Sequence, residues 1–169
     1  TKTTIADLTG YHEREMDQME LKSILGLEGI ASKNFFKIWY KDLDWHGRKP
    51  RVKMDPLNVL LDIGYTYLFN FVEAMILLYG FDLYRGVYHQ NYYQRKSLVC
   101  DLVEPFRCTI DKKIKNAYNL KQVKEEDFLD TKGFYSLRIE QNKKYTTLIV
   151  QDLLKYKEDI FQYVQDYYR

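Results

Sequence analysis

Leu21, Ile24, Leu25, Ala31, Phe35 and Ile38 recur at helical spacing, which predicts a helix from about Gln18 to about Tyr40. Asp17 followed three residues later by Glu20 has the form of a capping box for its start. A polar connector, Asp44 to Lys53, breaks the apolar pattern around Pro50. Asp55 then Pro56 is the N-cap and first-position pair of a second helix, and Gly80 supplies its stop. From Phe81 to Lys96 no period is sustained, which predicts a loop. Ser97 is placed to cap the next helix, whose inward residues are Leu98, Leu102 and Phe106; Pro105 should bend or shorten it before it resumes through Ile110 and Ile114. A short helix and a small hairpin around Gly133 are expected between Val123 and Leu137. Leu148, Leu153, Ile160, Phe161 and Val164 predict one closing amphipathic helix.

Composition supports this all-α reading. Among 169 residues there are 16 Tyr, nine Phe and two Trp but only eight Gly and three Pro, so few positions interrupt long helices. The length suits one domain, 1–169. Twenty-six basic against 24 acidic residues leave a net charge of +2, too little to argue for a nucleic-acid partner without a concentrated basic face. Cys100 and Cys108 are too few for a disulfide framework, which fits a reducing cytoplasm. The span Val59 to Gly80 is apolar enough to test as a membrane helix, but it carries Asp62, Asn70 and Glu73 and reads instead as a helix buried in protein, with no membrane partner.

Chemistry is concentrated at a few positions. Glu28 falls on the apolar stripe of the first helix, where a carboxylate is paired, protonated or bound to metal; a helix-end ion pair is the simpler alternative. Asp101 and Glu104, three apart after Ser97, share a helix face and are placed to meet one cation, or else are solvated. His89 stands fifteen positions before Glu104 in a loop with Tyr88, Tyr92 and Tyr93, as a ligand or as a hydrogen-bonded structural group. Arg48, Lys49, Arg51 and Lys53 in the connector, with Arg95 and Lys96 before Ser97, are candidate phosphate contacts.

In order along the chain, LEGIASKNFF, then MDPLNVLLDIGYTYLFNFVEAMILLYGFDLYRGVYH, then SLVCDLVEPFR resemble the Cas-one family of CRISPR-associated spacer-acquisition integrases. That family carries a Glu-Gly helix, a DP-x-N helix ending in Gly-aromatic-Asp, then Gly-x-x-His, then Ser-Leu-x-x-Asp-Leu-x-Glu-x-Phe-Arg. The blocks cover about Leu25 to Asp111; EEDF and GFYSL fit the C-terminal pattern more loosely. Leu83 and Cys108 stand where the family often has Pro, and Ser32-Lys33 where Ala-Arg is frequent.

The resemblance implies a multi-helix catalytic domain with Glu28, His89 and Glu104 as metal ligands, Asp101 as supporting acid, and Asn58 and Tyr65 in the helix behind. It implies Mg²⁺ or Mn²⁺ as cofactor and insertion of foreign DNA into a CRISPR array by attack of a 3′-hydroxyl on repeat phosphodiesters. Implied partners are prespacer and repeat DNA, a second copy, and a Cas-two protein in a prokaryotic cytoplasm. The family's N-terminal β domain is not expected in this chain, since nothing before Glu28 is long enough to supply it. Rival readings are a branched-DNA nuclease using the same ligands, a silent DNA-binding and assembly module, and a helical RNase built on Arg85 and His89.

Overall fold

The computed structural model describes residues 19–167 apart from Asp44, His46, Arg51 and Asn91. The chain divides into two compact units, Thr1–Arg48 and Lys49–Arg169.

In the first unit, α1 spans Leu21–Trp39. Asp17 lies outside the described residues, and the observed N-cap is Glu20, which is extended and makes no side-chain cap. Beyond α1 the chain folds back on aromatic contacts. Trp39 stacks on Phe35 at 5.5 Å between ring centroids, and Trp45 sets its edge against Tyr40 and Phe36 at 4.9 and 5.7 Å. Such pairs add to the apolar burial of rings.

The second unit is built round α2, Pro56–Leu78. Its start follows from local chemistry. The Asp55 carboxylate accepts from the Asn58 amide N–H at 2.7 Å, and Pro56 occupies a first-turn position where its missing N–H costs nothing. The fully buried Asn58 side chain donates to Asp55 at 2.7 Å and accepts from the Lys49 amide at 2.9 Å, so it ties the connector to the helix. The helix ends before Gly80, whose φ of +73° stops it without a Cβ penalty.

Five further elements pack against α2: α3 (Ser97–Val103), α4 (Arg107–Asn119), α5 (Asn142–Leu153), α6 (Lys157–Asp166) and a hairpin of β1 (Phe128–Thr131) with β2 (Phe134–Leu137). Leu61, Leu68, Val72 and Ile76 of α2 are wholly buried beneath them. Each such side chain contributes about 1.5–3 kcal/mol by leaving water. Gly64 lets α4 approach closely, because a Cβ there would overlap the Ile110 side chain. By length and composition α2 is the one described helix that passes for a membrane span.

The hairpin pairs Phe128 with Leu137 and Thr131 with Phe134. Lys132 and Gly133 both have positive φ, the turn whose twist matches paired strands. Between Val123 and the hairpin the short helix is a single 3-10 turn, Glu125–Asp127.

Two expectations change. Ser97 is the first residue of α3 rather than its cap; its buried hydroxyl donates to the Gln90 carbonyl at 3.1 Å. The closing segment is two helices, α5 and α6, separated by a 3-10 turn at Leu154–Tyr156. Ile149 on α5 and Ile160 on α6 are both buried, so each helix keeps an inward face on its side of the break.

Candidate active site

Pro105 organises the acidic end of the site. Lacking an N–H, it interrupts the helical ladder, and Glu104–Phe106 tighten to a 3-10 turn between α3 and α4. Leu98, Val99, Leu102 and Val103 bury one side of α3. Asp101 and Glu104, three apart, are left for the other side.

Asp101 is the organising group. One carboxylate oxygen accepts from the amides of Val87 and Tyr88 at 2.6 and 3.1 Å; the other accepts from the His89 amide at 2.8 Å and meets His89 Nδ1 at 2.6 Å. Only 9% of its side chain is exposed. Burial by itself would raise this carboxyl, but the amides of His89, Tyr88 and Val87 and the His89 ring outweigh it and hold the acid below the ordinary carboxylate range. An ionised oxygen can only accept, so Nδ1 carries the proton and Nε2 of a neutral ring keeps its lone pair. A carboxylate behind a histidine is the usual support for an imidazole metal ligand.

Gly86 makes the loop possible. A Cβ there would meet the His89 carbonyl at 2.6 Å, Ser97 Cβ at 2.7 Å and Asp101 Oδ2 at 2.8 Å. The other end is held by Ser97 at Gln90 and by the Leu98 amide donating to the Leu83 carbonyl. Tyr88 sets its edge to the His89 ring at 5.3 Å, whereas Tyr92 and Tyr93 are 76% and 83% exposed.

Glu104 is engaged by Arg107. Nη1 of Arg107 lies 3.0 Å from each Glu104 oxygen, and the guanidinium stands 4.8 Å over the Tyr65 ring. Tyr65 in turn donates to buried Asp111 at 2.8 Å. The sequence reading assigns Arg107 no role, although its spacing from Glu104 after a proline is the legible sign of a pair.

His89, Asp101 and Glu104 thus belong to the second unit, the first two in direct contact. Glu28 is partly buried on α1 in the first unit. Among the described residues of the second unit, no three His, Cys, Asp or Glu side chains stand close enough to share a metal ion.

The basic residues are dispersed. Lys49 is exposed, and Lys53 lines an open groove of about 750 Å³ with Pro50, Asp62, Tyr65, Thr66 and Phe69. Arg48 is partly buried in the first unit, Arg95 is exposed, and Lys96 is paired with Glu73 of α2. Arg51 lies outside the described residues.

A family model described as CRISPR associated protein Cas1 matches residues 1–151. The chain is 34% identical over 138 residues to the CRISPR-associated endonuclease Cas1 1 of Thermodesulfovibrio yellowstonii, covering 78% of this chain and 43% of that protein. It therefore spans about two-fifths of that relative's length. Among solved structures, it resembles a chain of a partial Cas6-RT-Cas1–Cas2 complex at a TM-score of 0.81 and 26% identity, over 90% of this chain and 51% of that one. A casposase bound to integration product shares the fold at a TM-score of 0.79 and 22% identity, over 88% and 47% of the two chains.

Proposed function

This chain belongs to the Cas1 family of CRISPR-associated proteins, and we propose that it is the helical catalytic part of a divalent-metal-dependent DNA integrase and endonuclease. The observation that carries the reading is the Asp101 clamp. It sets His89 Nδ1 against a carboxylate that can only accept, which leaves Nε2 of a neutral ring to serve as a ligand.

Glu28, His89 and Glu104 would hold Mg²⁺ or Mn²⁺, a mixed oxygen and imidazole set that the second favours somewhat. When bound, the cation supplies a Lewis acid for a phosphate oxygen and acidifies the attacking hydroxyl. The residues of the chain do the rest. Asp101 fixes the tautomer and direction of His89, Gly86 lets the loop close on it, and the exposed cations Lys49, Lys53 and Arg95 offer contacts to the phosphate backbone.

The relative named as an endonuclease and the structural neighbour bound to integration product support phosphodiester chemistry on DNA. A neighbour within a Cas1–Cas2 complex supports a Cas2 protein as partner. A DNA 3′-hydroxyl as nucleophile gives joining of a captured fragment to a repeat; water gives cutting.

Calorimetric titration of Mn²⁺ into the wild type, His89→Ala and Glu104→Ala tests the site. Stoichiometric binding lost in both variants is the expected result, and no binding to wild type would sink it. Joined products on a branched DNA substrate then support integration, while cut products alone leave a nuclease.

A further inference from the structure

We propose that Arg107 is an exchangeable counter-ion for Glu104: it holds the carboxylate until a divalent cation arrives, then releases it and turns to a DNA phosphate oxygen. The inference rests on the metal reading above.

One nitrogen of Arg107 faces both Glu104 oxygens at equal distance, 3.0 Å, and so covers the lone pairs between them that a chelating cation needs. The two positive charges cannot share those lone pairs, and a guanidinium left beside a doubly charged ion is repelled. One of them must move.

An ordinary surface pair three residues apart would lose its arginine to water. Arg107 has a second support, because the Tyr65 face lies under the guanidinium and the hydroxyl of Tyr65 is anchored to buried Asp111. A guanidinium keeps its charge across the accessible pH range, so Arg107 stays a cation when displaced. A cation kept over that ring near the cleaved bond needs an anion, and the phosphate of the substrate brings one. Arg107 is thus a positioning residue for Glu104 before the cation binds and a phosphate ligand afterwards.

The test is Mn²⁺ calorimetry without DNA on the wild type, Arg107→Gln and Arg107→Lys, with thermal unfolding as a check on folding. Arg107→Gln is expected to bind Mn²⁺ about five- to tenfold more tightly, since a partly exposed pair no longer competes. Arg107→Lys should fall between. On duplex DNA, the increase in affinity brought by Ca²⁺ over EDTA should vanish in Arg107→Gln and persist in Arg107→Lys.

Unchanged or weaker Mn²⁺ binding in a folded Arg107→Gln overturns the exchange while leaving the metal site standing. Binding in Arg107→Gln but not in wild type also overturns the exchange, because the cation then never displaces the guanidinium. No binding in any of the three proteins removes the metal reading and the exchange together. If Arg107→Gln does not fold, Arg107→Lys decides: tighter binding than wild type upholds the exchange and unchanged binding overturns it.

Discussion

Asp101 and Asp127 are both mostly buried acids held below the ordinary carboxylate range, yet they do different work. Asp127, 5% exposed, accepts from the Lys144 ammonium at 2.6 Å and the Tyr145 hydroxyl at 2.7 Å. Burial opposes its ionisation and those two bonds override the penalty. Its backbone carbonyl also receives the Arg138 amide, so the residue pins the start and end of the hairpin to α5. Every partner there is internal. Asp101 spends its oxygens on three successive loop amides and a ring nitrogen, and among the described residues none bonds the ring's other nitrogen. A lowered acid therefore does not by itself mark a site; what its partner still has to offer does.

Gly86→Ala breaks the Asp101 region most sharply. The new Cβ collides with two backbone-fixed neighbours and the carboxylate itself, so loop 86–90 must shift, with an expected loss of about a hundredfold or more in DNA joining. Overpacking should also cost about 1–3 kcal/mol of stability by urea unfolding. Activity retained at the wild-type level would mean that the loop has room the structure does not show.

Asp101→Asn comes next. An amide cannot receive every N–H that the carboxylate receives, and the imidazole loses its orienting anion. Mn²⁺ affinity should fall about 10–100-fold by calorimetry. Asp127→Asn sharpens the contrast from the other side: it should cost about 1–3 kcal/mol in unfolding experiments and leave Mn²⁺ affinity unchanged. Equal effects of the two substitutions on metal affinity would erase the distinction.

Acid acts on both regions in one direction. Each carboxyl has a folded-state pKa below its unfolded value, so its contribution is complete above the unfolded value of about 4 and is lost as pH falls through the lower folded value. Protection of the Val87, Tyr88 and His89 amides against hydrogen exchange, relative to their intrinsic rates, should fall below about pH 4. The smallest effect is expected for Tyr93→Ala, which should change thermal stability by no more than about 0.5 kcal/mol. That side chain is largely in water, and a larger loss would reveal packing on the loop.

Much of this molecule is written locally. The Asp55-Pro56 start and Gly80 stop of α2, the Pro105 break and the hairpin about Gly133 each depend on residues a few positions apart, so short-range stereochemistry exposes them in the sequence. The resemblance to the family singles out Glu28, His89, Asp101 and Glu104 as expected site residues, and of these the structure shows His89 and Asp101 in direct contact. Tertiary packing decided what the pattern could not. Ser97 reads as a cap because serine often is one, but folding buries its hydroxyl against Gln90 instead. The closing apolar stripe reads as one helix because Ile149 and Ile160, eleven apart, fall on one face of a continuous helix as well, and the 3-10 turn at Leu154–Tyr156 that divides it leaves no mark in the period. Gly86 looks like any loop glycine until Ser97 and Asp101 arrive beside it, and the link from Asp111 through Tyr65 and Arg107 to Glu104 spans residues 65 to 111. Such contacts depend on how separate elements meet in space, and neither helical period nor cap chemistry carries that information.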